Sequence, residues 1–60
     1  MGKEKVIQIL MNRDNIDREE ATALINETVD EMIMNPTEAD EIIMNYLGLE
    51  SDYIEDILGY

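Results

Sequence analysis

Apolar positions recur along this chain with the period of a helix. In the stretch DREEATALINETVDEM, residues 17–32, and just beyond it, positions 21, 24, 25, 28, 29, 32 and 33 are apolar or neutral. This is the i, i+3, i+4, i+7 spacing of an amphipathic helix, sustained over about four turns. Asp17 stands at the N-cap position, Glu20 completes a capping box, and Ile16 and Ala21 take the staple positions. The pattern predicts a helix that starts at residue 17 or 18 and ends near 34, where Asn35-Pro36 stops it. Proline cannot continue a helix interior but suits the first turn of the next helix. Asn35 is the expected cap there, with Thr37 as the alternative, Pro36 at N1 and Glu38 at N3. Ala39, Ile42, Ile43, Tyr46 and Leu47 form the next stripe, and Gly48 reads as its left-handed stop, with Leu49 as the accompanying apolar contact. Ser51 is the expected cap of a last short helix, with Tyr53, Ile54, Ile57 and Leu58 inward and Gly59 as its stop.

Upstream, EKVIQILMN (residues 4–12) carries Val6, Ile7, Ile9, Leu10 and Met11. On a helix these spread over an arc of about 200°, wide enough to pack on two sides. A short edge strand is the alternative, but the strict alternation of a half-buried strand is missing. RDNI follows as a turn.

The fold expected is all-α: a small bundle of three to four short helices, a single acidic helical domain over residues 1–60. Short turns make neighbouring helices antiparallel or steeply crossed. The expected core includes Ile7, Leu10, Leu24, Ile25, Val29, Ile42, Ile43, Tyr46, Ile54 and Leu58, and no linker, repeat or low-complexity segment stands out.

Composition narrows the chemistry. A chain of 60 residues buries only about 60% of the surface its unfolded form exposes, so its core is marginal without a staple, a partner or very regular packing. Neither cysteine nor histidine occurs. That removes disulfides, thiolate metal sites and the commonest catalytic base. Ser51 is the single serine, so no nucleophile–base triad can be assembled from it. The acids fall on polar helix faces rather than in an apolar pocket that shifts one of a pair. No enzyme activity, cofactor or metal is expected. RDNIDREE resembles the second half of an EF-hand loop, but the first ligand positions fall on Ile9, Met11 and Arg13, which leaves a capped helix start as the better reading. The like-charge pairs Glu27/Glu31 and Asp52/Asp56 offer at most an unspecific divalent-ion contact.

Charge is the strongest signal. Lys3, Lys5, Arg13 and Arg18, all the bases, lie in the first 18 residues beside Glu4, Asp14 and Asp17, a net of +1; residues 19–60 hold twelve acids and no base, a net of −12. Such a surface repels nucleic acid and anionic lipid and attracts basic protein surfaces. No membrane span is expected, because no run of about 18 apolar residues exists. MGKEKVIQIL lacks the long apolar region of a secretory signal, so a cytoplasmic location is expected.

YLGLESDYIEDIL, together with the pattern RDxIxREEAxxLI, resembles short acidic proteins of phages and prophages of Gram-positive bacteria. The two pieces cover about half the chain and consist mostly of capping and core positions. The resemblance implies a phage origin and, with it, a host-takeover or anti-defence role. Two functional classes follow. The first is an acidic factor that binds and inhibits a basic, nucleic-acid-handling protein as a DNA mimic. Carboxylates one helical turn apart lie about 5–6 Å from each other, against about 3.4 Å per phosphate along one DNA strand. The candidate binding residues are Glu27, Asp30, Glu31, Glu38 and Glu41, around Met34 as an adaptable apolar spot. Met44, like Met34, lies off the apolar stripe of its helix. The second class is a homo-oligomer joined through the wide apolar arc of the first helix, with a solvated acidic surface that serves only solubility.

Overall fold

The computed structural model describes residues 2–58. Four helices follow one another: α1 (Gly2–Asp14), α2 (Arg18–Met34), α3 (Ala39–Leu47) and α4 (Ile54–Leu58), with 3₁₀ turns over Pro36–Glu38 and Ser51–Tyr53 leading into α3 and α4. No strand occurs among the described residues. The fold is the all-α bundle that the periodicity predicts, and residues 4–12 are helical. The Gly59 stop lies outside the described residues.

The Asp17 cap forms as expected: its Oδ1 accepts the Glu20 backbone N–H at 2.8 Å, and Ile16 packs against the core beside buried Ala21. α1 runs longer than its apolar pattern, since Arg13 and Asp14 are helical rather than part of the turn. Asn15 makes the turn instead, at φ 56°. Asparagine tolerates that left-handed conformation better than most residues. At the end of α3, Gly48 sits at φ 68°, ψ 29° and donates its N–H to the Met44 carbonyl at 2.9 Å, closing the helix. Leu49 behind it is buried.

Two expected caps do not form. Neither the Asn35 side chain nor Ser51 caps a helix. Pro36 starts a 3₁₀ turn, whose tighter winding satisfies the entry to α3 through backbone bonds such as Glu38 N–H to the Asn35 carbonyl at 3.0 Å. Ser51 likewise lies inside a 3₁₀ turn, one residue past the position a cap requires.

The buried cluster is Val6, Ile7 and Leu10 from α1, Ala21, Ile25 and Met32 from α2, Ile43 and Leu47 from α3, Leu49, and Ile57 from α4. α1 packs against both α2 and α4, and α2 against α3. Its wide apolar arc is thus used within the chain, with Ile9 and Met11 half-buried at its two edges. Thr28, fully buried among these residues, gives its hydroxyl to the Leu24 carbonyl at 2.8 Å. Gly2 allows the closest approach. A Cβ there would lie 2.7 Å from the Asp56 Cα and 2.9 Å from its carbonyl oxygen, so only glycine lets the first turn of α1 touch α4.

Of the expected core, Ile7, Leu10, Ile25 and Ile43 are buried, and Leu24, Val29, Ile42, Ile54 and Leu58 pack half-buried around them. Tyr46 departs from expectation and is 43% exposed. It stands about 80° from the Ile43–Leu47 line on α3, where its ring can lie along the core edge with the hydroxyl in water. Ile33, on the apolar stripe of α2 but not in the expected core, is 67% exposed. It lies about 110° from the centre of the buried face of α2, beyond what one neighbouring helix covers. The radius of gyration, 10.4 Å, matches the value of about 10 Å for a compact chain of this length.

Candidate functional site

Where the few bases go decides what the acidic surface looks like. Arg18, the first residue of α2, reaches back to Glu4 on α1 with both terminal nitrogens, 2.8 Å to Oε1 and 2.7 Å to Oε2. The Gln8 amide adds a third bond to Oε2 at 3.0 Å. The guanidinium, joined by that amide, holds the Glu4 carboxyl down to about 2 from its ordinary 4.5. Arg13 pairs with its neighbour Asp14 at 2.8 and 2.9 Å, which pushes the Asp14 carboxyl down, and extends Nη1 to the Gly48 carbonyl at 3.4 Å. It thereby serves the carbonyl end of α3, which has no base of its own in its last turn. Lys5 lies 4.0 Å from Asp56 and 5.4 Å from the centre of the Tyr53 ring, joining α1 to the last helix. One member of the Asp52/Asp56 pair therefore does meet a lysine, a relief that sequence spacing does not disclose.

Three of the four bases are thus engaged inside the molecule, all of them fastening α1 or its exit. The carboxylates of α2 and α3 have no basic partner among the described residues. On α2, Glu27, Asp30, Glu31 and Met34 follow the i, i+3, i+4, i+7 order and share the face turned away from Ala21, Ile25, Thr28 and Met32. Glu27, Asp30 and Met34 are exposed and Glu31 is half-buried. Met34 is 75% exposed, the highest among the large apolar residues described. Glu38 closes the 3₁₀ turn and Glu41 lies in the first turn of α3, both exposed and one turn apart. The structure thus joins the four α2 residues on one face and sets the other two on the adjoining element.

Asp30 and Glu31 sit in the last turns of α2, where the helix dipole disfavours anions and no base compensates. Local choices that work against the fold concentrate at functional sites. No group of acids among the described residues is arranged to hold a metal ion. No helix there is long and apolar enough to cross a membrane.

Ile33 and Met44 are also exposed, at 67% and 61%, and were not among the expected binding residues. Asp30-Glu31-Met32-Ile33-Met34 and Asp40-Glu41-Ile42-Ile43-Met44 are a short repeat ten residues apart, although no repeat was expected, and it matches in exposure at the methionines but not at Ile33 and buried Ile43. In both copies an acid pair precedes an exposed methionine by one helical turn. No protein-family model, curated protein or solved structure matches the chain.

Proposed function

We propose that this protein is a small acidic interaction factor of phage origin. It works in the bacterial cytoplasm by binding and inhibiting a basic, nucleic-acid-handling protein of the host or its defences. It presents carboxylates where the target's basic cleft otherwise holds phosphates, and it needs neither cofactor nor contact with nucleic acid or membrane. The observation that carries this reading is the division of charge: three of the four bases, Lys5, Arg13 and Arg18, are used as internal fastenings on and beside α1, while the exposed acids of α2 and α3 have no basic partner among the described residues. The likeness of residues 13–25 and 46–58 to phage and prophage proteins supports the origin. The oligomer reading has less support, because the apolar arc of α1 is taken up by α2 and α4.

The test is capture followed by competition. The immobilised protein is exposed to extract of a Gram-positive host, and each captured protein is purified and bound to labelled duplex DNA. The expected result is that adding this protein releases the DNA, and that the variant Glu27→Lys/Asp30→Lys/Glu31→Lys fails to release it. Captured proteins that keep their DNA, or that are displaced equally well by the lysine variant, overturn the proposal.

A further inference from the structure

Ala23, Glu27, Asp30 and Met34 follow one another along α2 at i, i+4, i+7 and i+11. At 100° per residue they fall within an arc of about 60°, roughly opposite the buried Ala21, Ile25, Thr28 and Met32. All four are exposed, as are Glu19 and Glu20 one turn before Ala23. α1 and α3 both pack on α2, and neither covers this side. The row thus has an acidic middle between two apolar ends. The small side chain of Ala23 lets a second helix axis come close there, and the thioether of Met34 adapts to what it meets.

Charge and spacing together select an occupant. A second copy of the chain brings its own −11 charge, and nucleic acid and anionic lipid carry the same sign as the row. The partner is therefore basic. In an extended peptide the side chains of one face recur about every 6.8 Å, so they lose more than about 1 Å of register on each turn of α2, about 5.4 Å long. A second helix repeats at the same pitch and keeps its register over the whole row. We infer, resting on the acidic-surface reading above, that Ala23, Glu27, Asp30 and Met34 form a seam along which one basic α-helix of the partner protein packs lengthwise. Its lysines or arginines face Glu27 and Asp30, and its apolar residues lie over Ala23 and Met34. The two axes cross at about 20°, the angle at which a seam of this spacing stays in contact. In a nucleic-acid-handling partner, such a helix otherwise lies in a groove of DNA.

Two labelled peptides of about 18 residues, long enough to become helical on binding, test this. In one, the lysines and two leucines share one helical face; in the other, the same residues are scattered around the helix, so composition and charge are equal. Each is titrated with the whole protein and with two variants whose fold is checked by circular dichroism. Ala23→Gln keeps the charge and suits a helix nearly as well, but its longer side chain blocks close approach to the seam. Met44→Gln makes a similar change on α3, away from the seam. The one-faced peptide is expected to bind the wild-type protein about tenfold more tightly than the scattered one and to gain helical signal on binding. Ala23→Gln is expected to lose that advantage while binding the scattered peptide as before, and Met44→Gln is expected to keep it. Equal binding of the two peptides by the wild-type protein, an advantage that survives Ala23→Gln, or an advantage lost equally in Met44→Gln overturns the seam and leaves the charge-driven reading standing. Binding of neither peptide at low salt overturns both.

Discussion

Arg18 and Glu4, fourteen residues apart, meet in a two-pronged pair at 2.8 and 2.7 Å that ties the start of α2 to the first turns of α1. The planar guanidinium matches the carboxylate fork, a geometry that lysine cannot supply. Together with Lys5 against α4 and Arg13 against the end of α3, it connects α1 to each of the other helices. In a chain of net charge −11, three of the four bases thus work as fastenings.

A pH dependence follows from that pair. Glu4 titrates near 4.5 in the unfolded chain and at about 2 in the folded one. A carboxyl with a depressed folded value stabilises the fold above its unfolded pKa and loses that contribution as pH falls through the folded one. The wild-type urea midpoint is therefore expected to fall between pH 4.5 and about 2 relative to that of Glu4→Gln, and the two midpoints are expected to converge at the acid end. Parallel curves over this window would show that the pair contributes nothing to holding α1 on α2.

Salt acts in the opposite direction from what a paired surface shows. No carboxylate on α2 or α3 has a basic partner among the described residues, and the Debye length shrinks to about 10 Å at 0.1 M. Added sodium chloride is therefore expected to raise the melting temperature from low to moderate ionic strength. A melting temperature that falls over that range would mean that the Arg18–Glu4 and Arg13–Asp14 pairs outweigh the repulsion.

Ile25 and Ile33 lie on the same helix and differ completely in surroundings, fully buried against 67% exposed. Ile25→Ala is expected to cost about 2–5 kcal/mol. That is a large share of the stability of a small domain, about 5 kcal/mol at the low end of the usual range. Ile33→Ala is expected to stay within about 0.5 kcal/mol. Urea denaturation of the two variants side by side checks both, and equal losses would refute the placement of Ile33 outside the core.

The contrast also shows what could be read in the chain and what could not. The local signals worked: the Asp17 cap, the Pro36 break and the Gly48 stop each depend on residues within a turn of one another, and each falls where its spacing predicts. Exposure of Ile33 and Tyr46 depends on how far the neighbouring helix covers a stripe, which the stripe itself does not encode. The partners of Arg18, Arg13 and Lys5 lie 14, 35 and 51 residues away, at Glu4, the Gly48 carbonyl and Asp56, distances that only the fold closes. The acidic face on α2 was legible because periodicity alone aligns Glu27, Asp30, Glu31 and Met34. The exposure of Met34 and Met44 was legible too, since both lie off the apolar stripes of their helices.

If the acidic face binds a basic partner as proposed, the rate of binding and its duration should separate. Charges at a rim mainly govern association by steering, whereas an apolar centre excluded from water governs dissociation. Glu27 and Asp30 are exposed and Glu31 half-buried around Met34, so reversing all three to lysine is expected to slow association with a basic partner. The same reversal should also flatten its salt dependence, since less attraction is left to screen. Met34→Ala removes no charge and is expected to leave association unchanged while speeding dissociation. The oligomer reading makes the opposite forecast: Ile9→Asp on α1 would split an assembly that the lysine reversals leave intact. Light scattering on the free protein and binding kinetics against the captured partner, run on the same set of variants, separate the two. If Met34→Ala changes association instead of dissociation, Met34 is not the buried centre of the contact. If the lysine reversals change neither rate, the acidic face serves solubility alone.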